Sequence, residues 1–255
     1  MAKTCPELEW KRDVRKGSLS LDVRRVQEWL TLHGLPVKCD GDFGPKTQEA
    51  VKAFQARARV PPDGIVDALT FGLLAAPLRA ALDIPAALPP PAGATRLGQV
   101  VAALALQHAK QHPREVGGPN SGPWVRLYMD GNQGAAWAWC AGFATFVVRQ
   151  AAQVLALTCP VTRTYSCDVL AQDAQRTGRF LAQPDSDSAR AKVTPGCLFL
   201  RRKAPGDWDH TGVVVGREGD VLHTVEGNTN AEGSREGVEA RQRTRHLRGL
   251  DFVLL

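Results

Sequence analysis

A single cysteine stands where a tryptophan-rich stretch turns into an apolar run: Cys140 in WAWCAGFATFVV, residues 137–148. After Cys140, apolar residues recur at helical spacing, so the pattern predicts a helix that begins at or near this cysteine. Unpaired N–H groups in the first turn of a helix lower the pKa of a thiol and can bind a developing oxyanion. The position therefore favours a nucleophile for acyl transfer, although a buried core cysteine would have the same neighbours.

Two polar residues further along the chain can complete a catalytic group with this cysteine. His210 begins the strand-like run HTGVVVG, and Glu226 ends the strand-like run VLHTVE. A cysteine, a histidine and a carboxylate supply a nucleophile, a general base and a group that orients the base. The pattern therefore favours a Cys140–His210–Glu226 triad, the thiol counterpart of the serine triad.

The turn between these two strands decides whether Glu226 can reach His210. A three-residue loop that ends at Gly219 pairs His210 with Glu226 on one face of the hairpin. A two-residue loop leaves Glu226 on the other face, and Asn228 then becomes the candidate for orienting the imidazole. Both registers stay open at this stage.

The remaining histidines are expected to be structural or to lie on the surface. His223 lies three positions before Glu226, so strand alternation places it on the opposite face. His108 is expected on the surface of a helix. No polar group accompanies the others, which are His33, His112 and His246.

The composition is that of a globular protein without a membrane span. The chain has 255 residues, of which 44% are hydrophobic and 23% charged, and no apolar run is long enough to cross a bilayer. Its 32 basic and 26 acidic residues give a net charge of +6 without a long basic block, which argues against a nucleic-acid reader. Residues 1–20 lack the apolar run of a secretory signal, so we expect synthesis in the cytoplasm.

Six cysteines, at positions 5, 39, 140, 159, 167 and 197, form no CxxC pair and no spacing typical of a zinc site. We therefore expect no metal, and nothing in the sequence indicates a cofactor. If Cys140 stays free as a nucleophile, the other five can form at most two disulfides. The candidate pairs are Cys159 with Cys167 and Cys5 with Cys39.

The N-terminal third of the chain has the pattern of a small three-helix domain. Ser20 can cap a helix that ends at Gly34, and Pro45 opens a second helix. Two turns, Asp40-Gly41 and Asp63-Gly64, each precede a threonine at the same distance, so one template recurs after 23 residues. The sequence therefore predicts a module built on a duplicated turn-helix unit.

A proline-rich linker, residues 81–95, separates this domain, residues 1–80, from a second domain, residues 96–255. In the second domain helices come first and antiparallel strands follow, so we expect an α+β fold. The Gly- and Pro-rich loop before Cys140 is expected to line the cleft. The residues that we expect to contact substrate are Asn120, Trp124, Trp139 and Trp208.

The N-terminal domain resembles a known family. The segments VQEWLTLHG, DGDFGPKTQEAVKAFQ and DGIVDALT, within residues 18–76, are similar to the peptidoglycan-binding domains attached to bacterial and phage wall hydrolases. The resemblance implies a shallow groove that holds wall glycan or stem peptide. A docking or spacer domain with the same fold is the alternative.

The second domain also resembles a known family. WAWCAGFATFVV, DHTGVVVG and TVEGNTN, within residues 96–255, are similar to the cysteine, histidine-dependent amidohydrolase/peptidase (CHAP) family. The resemblance implies a papain-like fold that cleaves amide bonds in peptidoglycan, with helices packed on an antiparallel sheet. It also implies Cys140 as the nucleophile, His210 as the base, Glu226 as the third member and Asn228 as an auxiliary polar group.

Two classes of function remain open. The first is a peptidoglycan hydrolase, either an N-acetylmuramoyl-L-alanine amidase or a stem-peptide endopeptidase, and the predicted triad favours it. The second is a noncatalytic wall-binding or docking protein. For the enzyme we expect a monomer that acts on peptidoglycan in the periplasm or cell wall of a target bacterium. Delivery by a secretion system as an antibacterial effector, with a cognate immunity protein as partner, is favoured over release as a phage endolysin.

Overall fold

Helices precede antiparallel strands along the chain, as the sequence pattern predicts. The computed structural model describes residues 5–84, 94–230 and 237–255. In these residues helices combine with a six-stranded antiparallel sheet, so the predicted α+β class is confirmed. The chain forms two compact units, one within Met1–Leu82 and Arg114–Ala136 and the other within Asp83–Pro113 and Trp137–Leu255.

The secondary-structure elements are numbered in chain order after a short 3₁₀ helix, Pro6–Leu8. None of the helices in the described ranges has both the length and the apolar character required to cross a bilayer. The helices are α1 (Leu21–Leu32), α2 (Pro45–Arg57), α3 (Ala68–Leu74), α4 (Ala76–Leu82), α5 (Arg96–Lys110), α6 (Pro123–Tyr128), α7 (Cys140–Val154), α8 (Cys167–Arg176) and α9 (Asp187–Arg190). The strands are β1 (Phe180–Leu181), β2 (Leu198–Ala204), β3 (Asp207–Glu218), β4 (Val221–Thr229), β5 (Glu239–His246) and β6 (Leu250–Val253).

The first unit begins its helices where the sequence predicts. Ser20 caps α1, because its hydroxyl accepts the N–H of Val23, and Pro45 occupies the first position of α2. The third predicted helix is divided into α3 and α4. Pro77 has no N–H to continue α3, and it lies instead in the first turn of α4, where no such donor is needed.

The predicted duplication is visible as two buried glutamines that make the same contacts. At each turn, a glutamine side chain accepts the backbone N–H of the turn glycine and donates to the aspartate of the turn and to a threonine of the following helix. Because the amide satisfies three polar groups that are otherwise short of partners, it fixes the turn against the following helix. The equivalent sets are Gln27 with Asp40, Gly41 and Thr47, and Gln55 with Asp63, Gly64 and Thr70.

Residues 114–136 belong to the first unit, although the sequence pattern grouped them with the second domain. On α6, Arg126 donates to the carboxylates of Glu7 and Glu28 at 2.8 Å. Trp124 packs edge-on against Trp29, with 6.0 Å between the ring centroids. Contacts over such sequence distances cannot be inferred from chain order. Of the predicted linker, residues 85–93 lie outside the described residues.

The second unit is built on the sheet, whose strands lie in the order β1-β6-β2-β3-β4-β5. Thr95 caps α5, because its hydroxyl accepts the N–H of Gly98. Helices α5 and α7 pack against each other and against β3 and β4. The sheet has its own apolar cluster, in which Phe199, Leu222 and Phe252 are fully buried. Strands β3 and β4 are therefore held between helices and the neighbouring strands.

The turn of the β3–β4 hairpin is shorter than the predicted three-residue loop. Glu218 pairs with Val221, which leaves two residues in the turn. Gly219 does take the predicted left-handed conformation, with φ of 60°. The predicted register of this hairpin is therefore wrong, and a two-residue turn by itself would place Glu226 on the face away from His210.

A β-bulge restores the shared face. Between Val214 and Gly216 the pairing of β3 with β4 shifts by one residue. Because side chains alternate between the two faces of a strand, a shift of one residue changes which side chains of the two strands share a face beyond the bulge. If the pairing of Val213 with Val225 continues beyond the bulge, Glu226 lies opposite Gly212. Gly212 is two residues from His210, so Glu226 and His210 lie on the same face.

The sequence prediction did not include β1, β5 and β6. Strand β5 reads EARQRTRH, with arginines instead of apolar residues at alternate positions, so hydrophobic alternation gave no signal. Strand β6 is buried along its length but has four residues, too few for periodicity to separate strand from helix. Both strands were recognised only through their pairing with β4 and β2.

We expect each buried glutamine to stabilise its own turn. In Gln27→Ala the Gly41 N–H and the Thr47 hydroxyl lose a buried partner, which costs about 1–3 kcal/mol locally. Hydrogen exchange of the Gly41 amide should therefore quicken by about tenfold or more. Gln55→Ala should do the same at Gly64, so each variant is the control for the other. Equal acceleration at both turns in either variant would contradict two separate turn units.

Candidate active site

Cys140 is the first residue of α7 and is buried, with 5% of its surface exposed. No side chain caps this helix, so the N–H groups of its first turn are left for another acceptor. The preceding residue is fixed, because the N–H of Trp139 donates to Oδ1 of Asn228 at 3.1 Å. The Asn228 amide donates in turn to the carbonyl of Gly237 at 2.7 Å. The cysteine thus lies at a helix start, as the sequence predicts.

His210 lies on β3, and its ring is fully buried. Its Nε2 atom donates to Oε2 of Glu226 at 2.8 Å. The other ring nitrogen, Nδ1, is buried and has no hydrogen-bond partner among the described residues. Burial lowers the pKa of His210, but the Cys140 sulfur and the Glu226 carboxylate raise it, and the net shift is upward. Nδ1 is therefore the ring atom available to exchange a proton with Cys140.

Glu226 on β4 is a buried carboxylate with both oxygens occupied. Oε1 accepts from the Thr224 hydroxyl at 2.7 Å and from Nε of Arg245 at 2.6 Å. Oε2 accepts from His210 and from a second guanidinium nitrogen of Arg245, also at 2.6 Å. Burial raises the pKa of Glu226, but Arg245 and His210 lower it to about 2. The carboxylate is therefore ionised and held in one orientation near neutral pH.

Glu226 reaches His210 across Gly212. A Cβ atom at residue 212 would lie 2.8 Å from Cγ of Glu226 and 2.8 Å from Cε1 of Phe199. Non-bonded carbon atoms have their best contact at about 3.5–4.0 Å, so any side chain here would displace one of its neighbours. The ring of Phe199 also packs beside the His210 ring, at 5.9 Å between centroids. The imidazole–carboxylate contact therefore requires glycine at this position.

A second buried cysteine contacts the first, since the Sγ atoms of Cys140 and Cys167 lie 3.8 Å apart. The Cys167 hydrogen bond lowers the pKa of Cys140 well below its usual value, and His210 and the backbone N–H of Thr211 add to this, although burial acts in the opposite direction. The pKa of Cys167 is raised well above its usual value by the same hydrogen bond and by burial. Of the two sulfurs, Cys140 is therefore the one that favours the thiolate form.

Hydrogen bonds join Glu226 to Arg245 and to His210, and another joins Cys140 to Cys167. His210 and Cys140 connect the two groups, because each shifts the pKa of the other. Because the pKa of Cys140 is lowered while that of His210 is raised, the two favour a thiolate–imidazolium pair, and they titrate as a coupled system. A thiolate beside a protonated imidazole provides a nucleophile and a proton donor within one site. The arrangement can therefore perform acyl transfer.

Residues 20–74, which include α1, α2 and α3, match the family model described as putative peptidoglycan binding domain. The first unit therefore carries a peptidoglycan-binding domain, and the resemblance predicted for this part of the sequence is confirmed. The match includes both glutamine-centred turns. No curated protein matches the chain. The matched residues lie in the first unit, and the Cys140–His210–Glu226 group lies in the second.

The four residues predicted to contact substrate belong to different units. Asn120 and Trp124 belong to the first unit, where Trp124 is buried. Trp139 and Trp208 belong to the second unit, where both are buried and Nε1 of Trp208 donates to Asp251 at 2.6 Å. The three indole rings therefore contribute to packing, and contact of these four residues with substrate stays a prediction. Tryptophans near a cysteine have the same sequence pattern whether they line a cleft or a core.

Sequence reasoning did not identify Arg245, Gly212 or the role of Cys167. Arg245 lies in a run of alternating arginines, a pattern of a polar edge strand, but its carboxylate partner is on another strand. Cys167 was considered only as a disulfide partner of Cys159. All six cysteines lie in the described residues and none is in a disulfide, so both predicted pairs are wrong.

The other histidines lie outside this site. His223 on β4 has a half-exposed side chain that lies 3.6 Å from Glu218. His108 was expected at the surface, but it is fully buried on α5, where its ring bonds to Gln150 at 2.9 Å. Burial lowers the pKa of His108 to about 4, so it is neutral near pH 7. In the described part of the chain, no group of three or more His, Cys, Asp or Glu side chains is arranged to hold a metal ion.

We expect Gly212→Ala to separate Glu226 from His210. The added Cβ overpacks the site, which should cost about 1–3 kcal/mol, and His210 should lose its raised pKa. An NMR titration of the His210 ring measures this. Gly216→Ala is the matched control on the same strand, because a Cβ there would meet only His223, at 3.5 Å. An unchanged His210 titration in Gly212→Ala would contradict the close-approach argument.

Glu226 should make the fold sensitive to strong acid. The pKa of Glu226 is depressed to about 2 in the folded protein, whereas in the unfolded chain it is roughly 4.3. The ionised carboxylate therefore stabilises the folded state fully above the unfolded pKa, and this contribution is lost as the pH falls towards 2. The loss should be on the order of 3 kcal/mol, measured by urea unfolding between pH 5 and roughly pH 2. Glu226→Gln should lack this pH-dependent component. Glu218→Gln, with an exposed carboxylate on the same hairpin, should keep it.

Proposed function

We propose that this protein is a cysteine-dependent peptidoglycan hydrolase that cleaves an amide bond of the bacterial cell wall. The observation that carries the proposal is the buried contact between His210 and Glu226, in a unit that places Cys140 at the start of a helix. A buried imidazole–carboxylate pair is expensive to maintain as a structural feature alone, because both groups give up hydration. Beside a thiol of lowered pKa, it is the arrangement that nucleophilic catalysis needs.

In this mechanism the Cys140 thiolate attacks the carbonyl carbon of the scissile amide. The N–H groups of the first turn of α7 stabilise the oxyanion of the tetrahedral intermediate. Nδ1 of the protonated His210 gives its proton to the leaving amine, and a thioester to Cys140 remains. His210, now neutral, takes a proton from water, and the resulting hydroxide attacks the thioester. The acid is released and Cys140 returns as a thiolate beside the protonated imidazole.

We assign the third position to Glu226 and not to Asn228. Glu226 accepts the Nε2 hydrogen of His210, which holds the ring with Nδ1 towards the reaction and stabilises its positive charge. The Asn228 side chain instead binds the backbone of Trp139 and of Gly237. Asn228 thereby fixes the chain at the start of α7, which makes it an auxiliary residue that positions Cys140.

Peptidoglycan is the proposed substrate because the same chain carries a peptidoglycan-binding domain at residues 20–74. A wall-binding module raises the local concentration of substrate at a catalytic unit on the same chain. The resemblance of residues 96–255 to the CHAP family supports amide bonds as the point of cleavage. The bond is either the N-acetylmuramoyl-L-alanine amide or an amide of the stem peptide. Mass spectrometry of digested muropeptides distinguishes the two.

A noncatalytic wall-binding protein is the competing function, since the binding domain alone supports association with the wall. It differs from the enzyme in one observable: it binds sacculi and releases no fragment. Delivery as an antibacterial effector, with an immunity protein that blocks the cleft, stays a prediction, as does release as an endolysin. A neighbouring gene for a small exported protein that binds and inhibits the enzyme would favour the effector.

We expect Cys140→Ala to abolish release of muropeptides from purified sacculi. Loss of the nucleophile should lower the rate by about a thousandfold or more, while the small change in volume leaves the fold intact. Mass spectrometry of the digest measures the products, and circular dichroism checks the fold. Cys159→Ala is the control, because that thiol lies in the same unit and donates to the carbonyl of Val161. Cleavage by a folded Cys140→Ala variant would rule out the cysteine mechanism.

A further inference from the structure

Cys167 is held against Cys140 by anchors on two elements. It is the first residue of α8, whose start is capped by the hydroxyl of Ser166. The next residue, Asp168, accepts the backbone N–H of Trp208 at 2.7 Å, which ties the start of α8 to β3. Since β3 also carries His210, the position of Cys167 is set by the same strand that presents the imidazole.

The Cys167 thiol has one hydrogen-bond partner in the described residues. Its Sγ lies 3.8 Å from Sγ of Cys140, both side chains are buried, and the two sulfurs are not bonded. A thiol is a weak donor that burial removes from water, so its proton points to the best acceptor within reach. A thiolate is a far better acceptor than a neutral sulfur, which makes the contact depend on the charge of Cys140.

We propose that Cys167 is a positioning residue whose thiol donates a hydrogen bond to Cys140 and stabilises the negatively charged form of that sulfur. The proposal rests on the proposed function in one respect, that Cys140 is the nucleophile. It adds a second stabilising group, from α8, to the imidazole from β3. The thiolate then has a donor on α8 in addition to the imidazole and the backbone N–H of Thr211 on β3.

The charges around the pair keep the proton on Cys167. Asp168 on α8 and Asp209 on β3 both disfavour a negative charge on Cys167 and raise its pKa further. On the other side, the protonated His210 of β3 favours a negative charge on Cys140. Glu226 on β4 acts on Cys140 through His210, and His108 on α5 is neutral and bonded to Gln150. The two thiols therefore titrate as an asymmetric pair.

This role predicts an effect that depends on pH. Removing the donor lowers the fraction of thiolate at and below neutral pH, but a thiol with a higher pKa is also intrinsically more nucleophilic. At high pH, where Cys140 is ionised in either case, the first effect disappears and only the second remains. Loss of Cys167 should therefore slow reactions of Cys140 at low pH and speed them by about threefold at high pH.

The test is alkylation of Cys140 by iodoacetamide against pH, in the full chain with a phosphine reductant present. Mass spectrometry of the peptide that carries Cys140 separates it from the other five cysteines. In Cys167→Ala, the apparent pKa of Cys140 should rise by about one unit, and alkylation at pH values below the wild-type pKa should be about threefold slower, because greater nucleophilicity offsets part of the lost thiolate. Cys167→Ser keeps a donor and should recover most of the wild-type profile. Cys197→Ala, another buried cysteine of the second unit, should leave the profile unchanged.

A Cys167→Ala profile that coincides with wild type overturns the proposal, as does a Cys167→Ser profile as shifted as that of Cys167→Ala, because packing and not the donor would then matter. If Cys167→Ala does not fold, Cys167→Ser decides alone: a wild-type profile supports the donor role and a shifted one overturns it. Thiolate ultraviolet absorbance, taken as the difference from Cys140→Ala, gives the same pKa without an alkylating reagent. If the Cys140 pKa shifts as expected in Cys167→Ala but the wild-type protein releases no muropeptides, this inference stands and the proposed hydrolase function is refuted.

Discussion

A buried negative charge is the constraint on which the second unit depends. Glu226 has no exposed surface, and an isolated carboxylate in that position would cost several kcal/mol unless it is paired and hydrogen bonded. The sheet meets this need with donors from three strands: Thr224 on β4, His210 on β3 and Arg245 on β5. Strand β5 lies next to β4 at the edge of the sheet, so Arg245 reaches the carboxylate from the neighbouring strand while 16% of its side chain stays exposed.

The geometry of this pairing depends on two local irregularities in β3. The bulge between Val214 and Gly216 sets which face of the hairpin Glu226 occupies, and Gly212 leaves room for its side chain to cross to His210. Each is costly to a strand by itself, because a bulge breaks the ladder and a strand glycine has no side chain to pack. The bulge and Gly212 both lie within residues 212–216 of β3, the strand that carries His210. Their cost is therefore most simply explained by the contact that they make possible.

The sequence predicted the features that local patterns determine and missed those that depend on contacts across the fold. The start of α7 at Cys140 and the cap at Ser20 follow from residues within one turn, so they were predicted correctly. The contact between His210 and Glu226 was also predicted, but through a register that the structure replaces. The bulge was not predicted from the sequence, and in this hairpin it compensates for the shorter turn. Arg245 contacts Glu226 from β5, a strand whose sequence has no hydrophobic alternation. The sequence pattern therefore could not indicate this contact.

The charges along the site alternate in sign, and this alternation explains how five polar groups, four of them buried, can share one core. Arg245 is positive, Glu226 negative, His210 positive and Cys140 negative, while Cys167 ends the series as a neutral donor. Each group has an oppositely charged neighbour, so the desolvation cost that none could offset alone is distributed along the chain of contacts. The Arg245 end of the series is partly exposed, whereas the thiolate at the other end is buried and has further donors in Cys167 and the backbone N–H of Thr211. The charge of Cys140 is therefore stabilised within the core, at the end where a nucleophile gives up its charge to form a new bond.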